Sequence, residues 1–598
     1  MNLALSSGLE NGLSTSLAEH IMADATADTL AAINTVQAAL NVIATLQLTA
    51  FRYPPDYALK NGTNYDYIIV GGGTAGSVLA YRLSSDCKNK VLLVEAGSYP
   101  PFESELPLMF TTMSKMPYDY DTSSVNDNYT AQNLQDHIVS LTQGKMLGGS
   151  SNIGHMVHVQ GDPHDYNNWA NILRDDTWAY KNVLPYFKKL ENLTDPGLLA
   201  SKYADLHGID GMIKIARQIA DVDCFYKKAF QELGHKIVAD TTSFTSSLGV
   251  TNPLLEIGDN LRQSSSLCYL APAKSLSNLC VALSTTATKI LIKNKIAVGV
   301  QVVTSSGETL ELYANKEVIV SAGAIHTPQL LMLSGIGPKS HLEEKGISVI
   351  ADLPVGENFM DHTGLAVAIQ MESDTSTVPA PNPFKFPVPM TALYAALNSS
   401  QTYPDYQGIF LLFPHDSAAL MQFCANSFKY SHDVCNKFAA ANVGRTVLFA
   451  VHNLMMPKSR GKVLLASTDP SIEPLVYTGT YTNEYDLDLM TDTLMDFARV
   501  LKTKRFKARN ATLVDTGLCP GLHDREFWKC YSLAMSATLW HYAGTAAMGK
   551  VVDSDLLVKG VRKLRIADAS VMPTLVSGNI NAAVTMIGER AAGFINDD

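Results

Sequence analysis

Residues 65–76 read Y-D-Y-I-I-V-G-G-G-T-A-G, and the fold turns on them. Tyr65–Val70 is a short apolar run rich in β-formers, and S-V-L-A-Y-R-L after the glycines has helical spacing. K-V-L-L-V-E-A-G then supplies a second buried strand ending at Glu95. Gly71, Gly73 and Gly76 form G-x-G-x-x-G: the first permits a tight turn, the second lets backbone approach a pyrophosphate, and the third allows close helix packing. Strand, glycine turn, helix, strand is the order of a Rossmann-like dinucleotide site. Thr74 and Ala75 open the helix whose N-terminus faces the phosphates. Glu95, followed by Ala96, lies 19 residues beyond Gly76, where a carboxylate accepts hydrogen bonds from both ribose hydroxyls. This stretch alone does not separate NAD from FAD.

With 598 residues, the chain needs two domains or more. Its hydrophobic content of 46% and charged content of 17% suit a globular protein. The net charge of −11, without a basic run, excludes nucleic acid as an expected partner. No stretch is apolar enough for a membrane span; Ala31–Phe51 is interrupted by Asn34, Gln37, Asn41 and Gln47 and reads as an amphipathic helix. Met1–Ser16 lacks the basic start and long apolar stretch of a secretory signal. The eight cysteines contain no C-x-x-C, so zinc and iron–sulfur sites are not expected. Cys424/Cys435 and Cys519/Cys530, each 11 apart, can close short loops as disulfides. Together with five N-x-S/T sequons they lean toward a secretory compartment, and localisation stays open.

Further motifs select the cofactor. Gln143–Trp169 contains Q-G-K-M-L-G-G-S-S-N-I-G-H-M-V-H-V-Q-G, and Gly323–Gly337 reads G-A-I-H-T-P-Q-L-L-M-L-S-G-I-G. V-G-E-N-F-M-D-H (355–362), W-H-Y-A-G-T-A-A-M-G (540–549) and L-R-I-A-D-A-S-V-M-P-T-L-V-S-G-N-I-N-A-A (564–583) follow in order. Together these motifs resemble the glucose–methanol–choline (GMC) oxidoreductase family from about Tyr65 to Ala592. The resemblance implies FAD as cofactor. It also implies oxidation of a small-molecule alcohol, with hydride passing to flavin N5.

Several site residues follow from it. Gly148, Gly149, Ser150 and Ser151 form a small-residue turn whose amides can approach the flavin or its phosphates, and the flanking Lys145 and Asn152 are cofactor-binding candidates with it. Glu317–Ser321 reads as a strand entering a turn, with Pro328 able to start the next helix, and Leu564–Asp568 as another strand with Asp568 at its end. The family role at Asp568 and Ala569 is contact with the ribityl-phosphate portion. His541 takes the position of the family's catalytic base, as suits a group with a near-neutral pKa. Asn579 falls at the second catalytic position, where an amide can hydrogen-bond the substrate oxygen; Asn581, two residues on, is the alternative there and otherwise serves helix capping or flavin contact. The chain departs from the family at Gly154-His155, where Asn-Gly is usual, at Gln143 and Gln160, where Arg is common, and at Tyr542, where Pro is common. His155 can approach the flavin or the substrate, or simply fill space. Ile153 stands where covalently flavinylated members carry His, so dissociable FAD is expected.

The expected architecture is α/β: a discontinuous Rossmann-like FAD-binding domain and a second, sheet-containing substrate-binding domain. The divisions are an N-terminal helical extension (1–60), a mainly FAD-binding region (61–358) with a substrate-domain insertion at about 166–219, a substrate-binding domain (359–539), and a C-terminal return (540–598) carrying His541 and Asn579. The five prolines of Pro379–Pro389 suggest a stiff rim over the flavin, or a linker. The segment T-A-F-R-Y-P-P (49–55) and the Cys519–Cys530 region resemble insect members of the family. W-H-Y-A-G-T most resembles the steroid-oxidising members, which implies oxidation of an ecdysteroid 3-hydroxyl to a ketone with oxygen reduced to peroxide. The alternatives are a sugar dehydrogenase with a quinone acceptor, an elimination enzyme that keeps FAD without redox use, and a catalytically silent homologue.

Overall fold

The computed structural model describes residues 51–373 and 382–597. The amphipathic helix expected over Ala31–Phe51 lies, but for Phe51, outside them, as does the first part of the proline-rich stretch.

β1 (Asn64–Val70) runs into the glycine turn, α1 (Thr74–Ser84) and β2 (Val91–Val94). β3 (Leu279–Ala282), β4 (Thr286–Lys293), β5 (Ile296–Val303) and β6 (Thr309–Val320) extend the same sheet in the order β3-β2-β1-β6-β5-β4. β3, β2, β1 and β6 are parallel, whereas β4 and β5 form an antiparallel extension on the first part of β6. Continuous apolar runs suit the parallel strands because both of their faces are covered: Ile68, Ile69 and all of Val91–Val94 are buried.

After β6 the chain enters α2 (Gly323–Leu333). The helix starts at Gly323, and Pro328 sits inside it rather than at its start. A proline there cannot donate to the carbonyl of Ala324. The Thr545 hydroxyl fills that gap, donating to Ala324 O at 2.7 Å, so the break is satisfied from the W-H-Y-A-G-T motif.

The chain then builds a second, antiparallel sheet from β7 (Thr363–Glu372), β8 (Met390–Ala395), β9 (Tyr406–Phe413) and β10 (Arg445–Leu454), in the order β7-β10-β9-β8. Short strands at Gly249–Thr251, Thr512–Leu513 and Ala537–Thr538 complete it. Gly249–Thr251 pairs with β8, although the expected boundaries put it in the FAD-binding region; strand pairing, not position in the chain, decides which sheet it joins. Finally β11 (Leu564–Ile566) returns to the first sheet, parallel to the end of β6, and α3 (Asn581–Asp597) packs against α1. Disulfides join Cys424 to Cys435 and Cys519 to Cys530. Among the described residues, no helix is long and apolar enough to cross a membrane, and no group of three or more His, Cys, Asp or Glu side chains is placed to hold a metal ion.

Candidate active site

One continuous cavity of about 690 Å³ runs from the carboxyl ends of β1 and β2 to the start of α3. Strand ends are where parallel α/β sheets bind ligands. The cavity is lined at one end by Gly71, Gly73, Thr74, Ala75, Glu95 and Ala96. Gly76 lies below it: a Cβ there would stand 1.9 Å from Gly71 O, so the third glycine serves close packing of helix against turn. Glu95 is buried and accepts from the amides of Gly72 (2.7 Å) and Gly97 (2.8 Å). Burial raises its pKa to about 7 against those hydrogen bonds.

Lys145, Gly149, Ser150, Gly154 and His155 line the middle. Gly148 and Asn152 do not. Gly148 turns the chain at φ +87°, and the Asn152 amide, fully buried, donates to Leu147 O and approaches Ser266. They support the turn from beneath instead of facing the cavity. Asp568 and Ala569 line the wall near α2. The Asp568 carboxylate accepts from the Gly323 amide at the head of α2 (2.8 Å), the Thr327 hydroxyl (2.6 Å) and the Ser570 amide (2.8 Å). It fastens the end of β11 to α2, a use of its side chain that its place at a strand end does not reveal.

At the far end stand His541 and Asn579, 3.2 Å apart from Nε2 to Nδ2. His541 Nδ1 meets His362 Nδ1 at 2.8 Å, and His362 Nε2 lies 3.0 Å from Met455 O. A carbonyl only accepts, so His362 Nε2 carries the proton. Burial holds the His362 pKa down to about 4, so its Nδ1 is a bare acceptor. His541 must therefore donate from Nδ1 and keep a lone pair on Nε2, facing Asn579 and the cavity. Burial, then the neighbouring His362 and His155, hold the His541 pKa well below the usual histidine value. Its backbone amide donates to Asp361 (2.9 Å). Trp540 beside it adopts φ +60°, a left-handed conformation costly for a bulky residue. The Thr538 hydroxyl holds the Trp540 amide at 2.7 Å.

Asn579 is placed by a clamped loop. Asp165 accepts from the Ser577 amide (2.7 Å) and hydroxyl (2.8 Å), and the Trp169 indole donates to Thr574 O (3.1 Å). Gly578, at φ +135°, lies against Val159, where any Cβ would come within 2.7 Å of its side chain. Asn581 begins α3 but does not cap it. Its Nδ2 donates to Glu256 (2.8 Å), and its Oδ1 accepts from the Thr74 hydroxyl (3.3 Å).

Sequence reasoning missed Glu256 and what lies behind it. His158 bridges Glu256 (3.1 Å) and Glu191 (2.9 Å), and His207 bridges Glu191 (3.0 Å) and Asp240 (2.7 Å), all buried. Burial opposes their charge, but the carboxylates prevail and raise His158 to about 9 and His207 to about 10. Gln160, where the family commonly has Arg, donates to the same Glu191 at 2.8 Å, so the two histidines carry the positive charge here. His362 and Asp361 lie inside V-G-E-N-F-M-D-H, but nothing in their spacing to His541 announces the contact.

Family profiles described as GMC oxidoreductase match residues 65–364 and 457–588. The chain belongs to the GMC oxidoreductase family. Similar curated relatives include the ecdysone oxidases of Spodoptera littoralis (37% identical over 94% of this chain and 96% of that protein) and Bombyx mori (38% over 93% and 85%). Glucose dehydrogenase [FAD, quinone] of Drosophila melanogaster is 30% identical over 91% and 87%. Among solved structures, an Aspergillus oryzae formate oxidase variant superposes with a TM-score of 0.76 at 26% identity, covering 90% of this chain and 99% of that one. Pyridoxine 4-oxidase of Mesorbium loti shares the fold with a TM-score of 0.76 at 24% identity, over 89% and 99%. As a GMC oxidoreductase the chain is an FAD-dependent enzyme with a Rossmann-like FAD-binding part and a substrate-binding part built on an antiparallel sheet. The cavity fits that cofactor: a glycine turn and helix start at one end, a buried acid for a ribose, and length enough to reach His541.

Proposed function

We propose that this GMC enzyme oxidises the 3-hydroxyl of an ecdysteroid to the ketone and passes the electrons to oxygen, forming hydrogen peroxide. The observation that carries this reading is the chamber beside His541 and Asn579. Phe386, Phe423, Phe428, Ile409, Leu411 and Val451 line it, and it shares His155, Trp540 and Asn579 with the large cavity. Phe110 stacks on Phe386 at 5.0 Å and extends the aromatic wall. A sugar needs polar partners for several hydroxyls, whereas a steroid presents an apolar skeleton with few oxygens. The chamber is small, about 30 Å³. The higher identity to ecdysone oxidases than to glucose dehydrogenases supports the same substrate class.

In this reading the substrate hydroxyl donates to His541 Nε2 and accepts from Asn579 Nδ2. His541 takes the proton as the C–H bond breaks, and His362, accepting from Nδ1, keeps the ring in the required tautomer. Bound FAD supplies the hydride acceptor. Gly71, Gly73, Thr74 and Ala75 would hold its pyrophosphate, Glu95 a ribose, and Gly149, Ser150, Gly154, Ala569 and Asn581 the remainder, with Lys145 near the phosphates. The buried Asp568 shapes that wall.

The test is anaerobic bleaching of the yellow protein by ecdysone and by glucose, followed by air. Bleaching by ecdysone with rapid recolouring and peroxide is expected. Bleaching by glucose with slow recolouring would make the enzyme a quinone-linked sugar dehydrogenase. No bleaching by any alcohol would leave a silent or non-redox homologue.

A further inference from the structure

We propose that His155 determines specificity by hydrogen-bonding a second hydroxyl of the substrate, vicinal to the one oxidised. The inference rests on the steroid reading and names what that site selects. His155 stands where family members usually carry glycine, so its ring is an addition to the chamber. The ring packs edge-on against Phe110 (centroids 4.8 Å) and Trp540 (5.1 Å) and lies 5.7 Å from Phe423. Among the described residues, neither ring nitrogen makes a hydrogen bond, although the side chain lines both the main cavity and the apolar chamber.

A histidine that only filled space among aromatic rings would be a poor choice, since its half-buried ring nitrogens have no protein partner and favour a polar one. Burial and the nearby Arg262 lower its pKa to about 3, so the ring is neutral, with one donor and one acceptor. A hydroxyl complements either nitrogen. The position is also close to the chemistry: the His155 ring packs on Trp540, which is bonded in sequence to His541. The Trp540 Nε1 and Asn579 Oδ1 are buried without hydrogen-bond partners. An otherwise apolar chamber thus carries, besides the His541 and Asn579 groups that hold the reacting hydroxyl, the His155 ring nitrogens, one donor and one acceptor. Their complement is a 2,3-diol on an apolar ring system, as ecdysone carries, rather than a lone sterol hydroxyl.

The experiment measures anaerobic flavin reduction by ecdysone and by 2-deoxyecdysone in the wild type, His155→Phe and His155→Gln. The wild type should favour the diol by roughly tenfold or more, since a site built for a hydroxyl is left unpaired by its absence. His155→Phe should bring the two rates within about twofold by slowing ecdysone alone, and His155→Gln should restore part of the preference. Affinities for the two ketone products, read from flavin absorbance, should shift in the same direction. A wild-type ratio near one, or a ratio unchanged in His155→Phe, overturns the inference while leaving the steroid reading intact. Reduction by neither steroid in the wild type overturns both.

Discussion

At the scale of single residues, the site depends on which nitrogen of His541 is bare. The carbonyl of Met455 fixes His362, and His362 fixes His541, so Nε2 is an acceptor before any substrate arrives. His541→Ala should keep FAD bound yet slow flavin reduction by about 10²-fold or more, the worth of a positioned base. Stopped-flow absorbance checks this, and a normal rate would remove His541 from the role. Because the His541 pKa lies well below 6.5, the base is already neutral at pH 6.5. The rate of reduction should therefore be flat from pH 6.5 to 8 and fall only on the acid side. A descending limb centred near 6.5 in a pH–rate profile would show that the ring titrates as if exposed.

At the scale of elements, two contacts hold the turns that shape the cavity. Gly76→Ala places a methyl against Gly71 O, which is rigid backbone, so α1 must lift away from the glycine turn. The variant should purify with FAD substantially lost, measured as the ratio of flavin absorbance to protein. Thr545→Val keeps the volume but strips the proline-broken α2 of its substitute donor. An unpaired buried carbonyl costs about 1–3 kcal/mol, so the unfolding midpoint should drop in thermal denaturation. An unchanged midpoint would mean that water replaces the hydroxyl.

At the scale of the whole molecule, the chain Asp240–His207–Glu191–His158–Glu256 ties the short strands around residues 191–217 to Asn581 at the head of α3. Both histidines have pKa values raised in the fold, to about 9 and 10, so the stability they confer is complete below about 6.5. It is lost as pH rises through 9 and 10. Glu191, held down to about 2 mainly by His207 against its burial, gives stability of the opposite sense, present above about 4.5 and lost toward pH 2. Thermal unfolding followed from pH 7 to 10.5 should show a steep alkaline fall in the wild type. His207→Gln should start lower at pH 7 and show a shallower fall; parallel curves would exclude the network as the cause.

Sequence alone determined the dinucleotide turn, because strand, glycines, helix and acid lie within one short stretch whose chemistry is local. It also brought out the family, the cofactor and the positions of His541 and Asn579, because ordered motifs carry those. What it did not reveal depends on contacts between distant segments. Asn581 reads as a possible cap, yet it is held by Glu256 and Thr74. Asp568 reads as a ligand at a strand end, yet its carboxylate is taken up by α2. Gly249–Thr251 falls within the stretch expected to be mainly FAD-binding and pairs in the second sheet. The His362–His541 contact spans 179 residues, and the aromatic wall joins side chains from residue 110 to residue 540. Spacing along a chain fixes what a helix or turn places side by side; only the packing of the two sheets decides which buried groups pair, which nitrogen is left bare, and what the cavity admits.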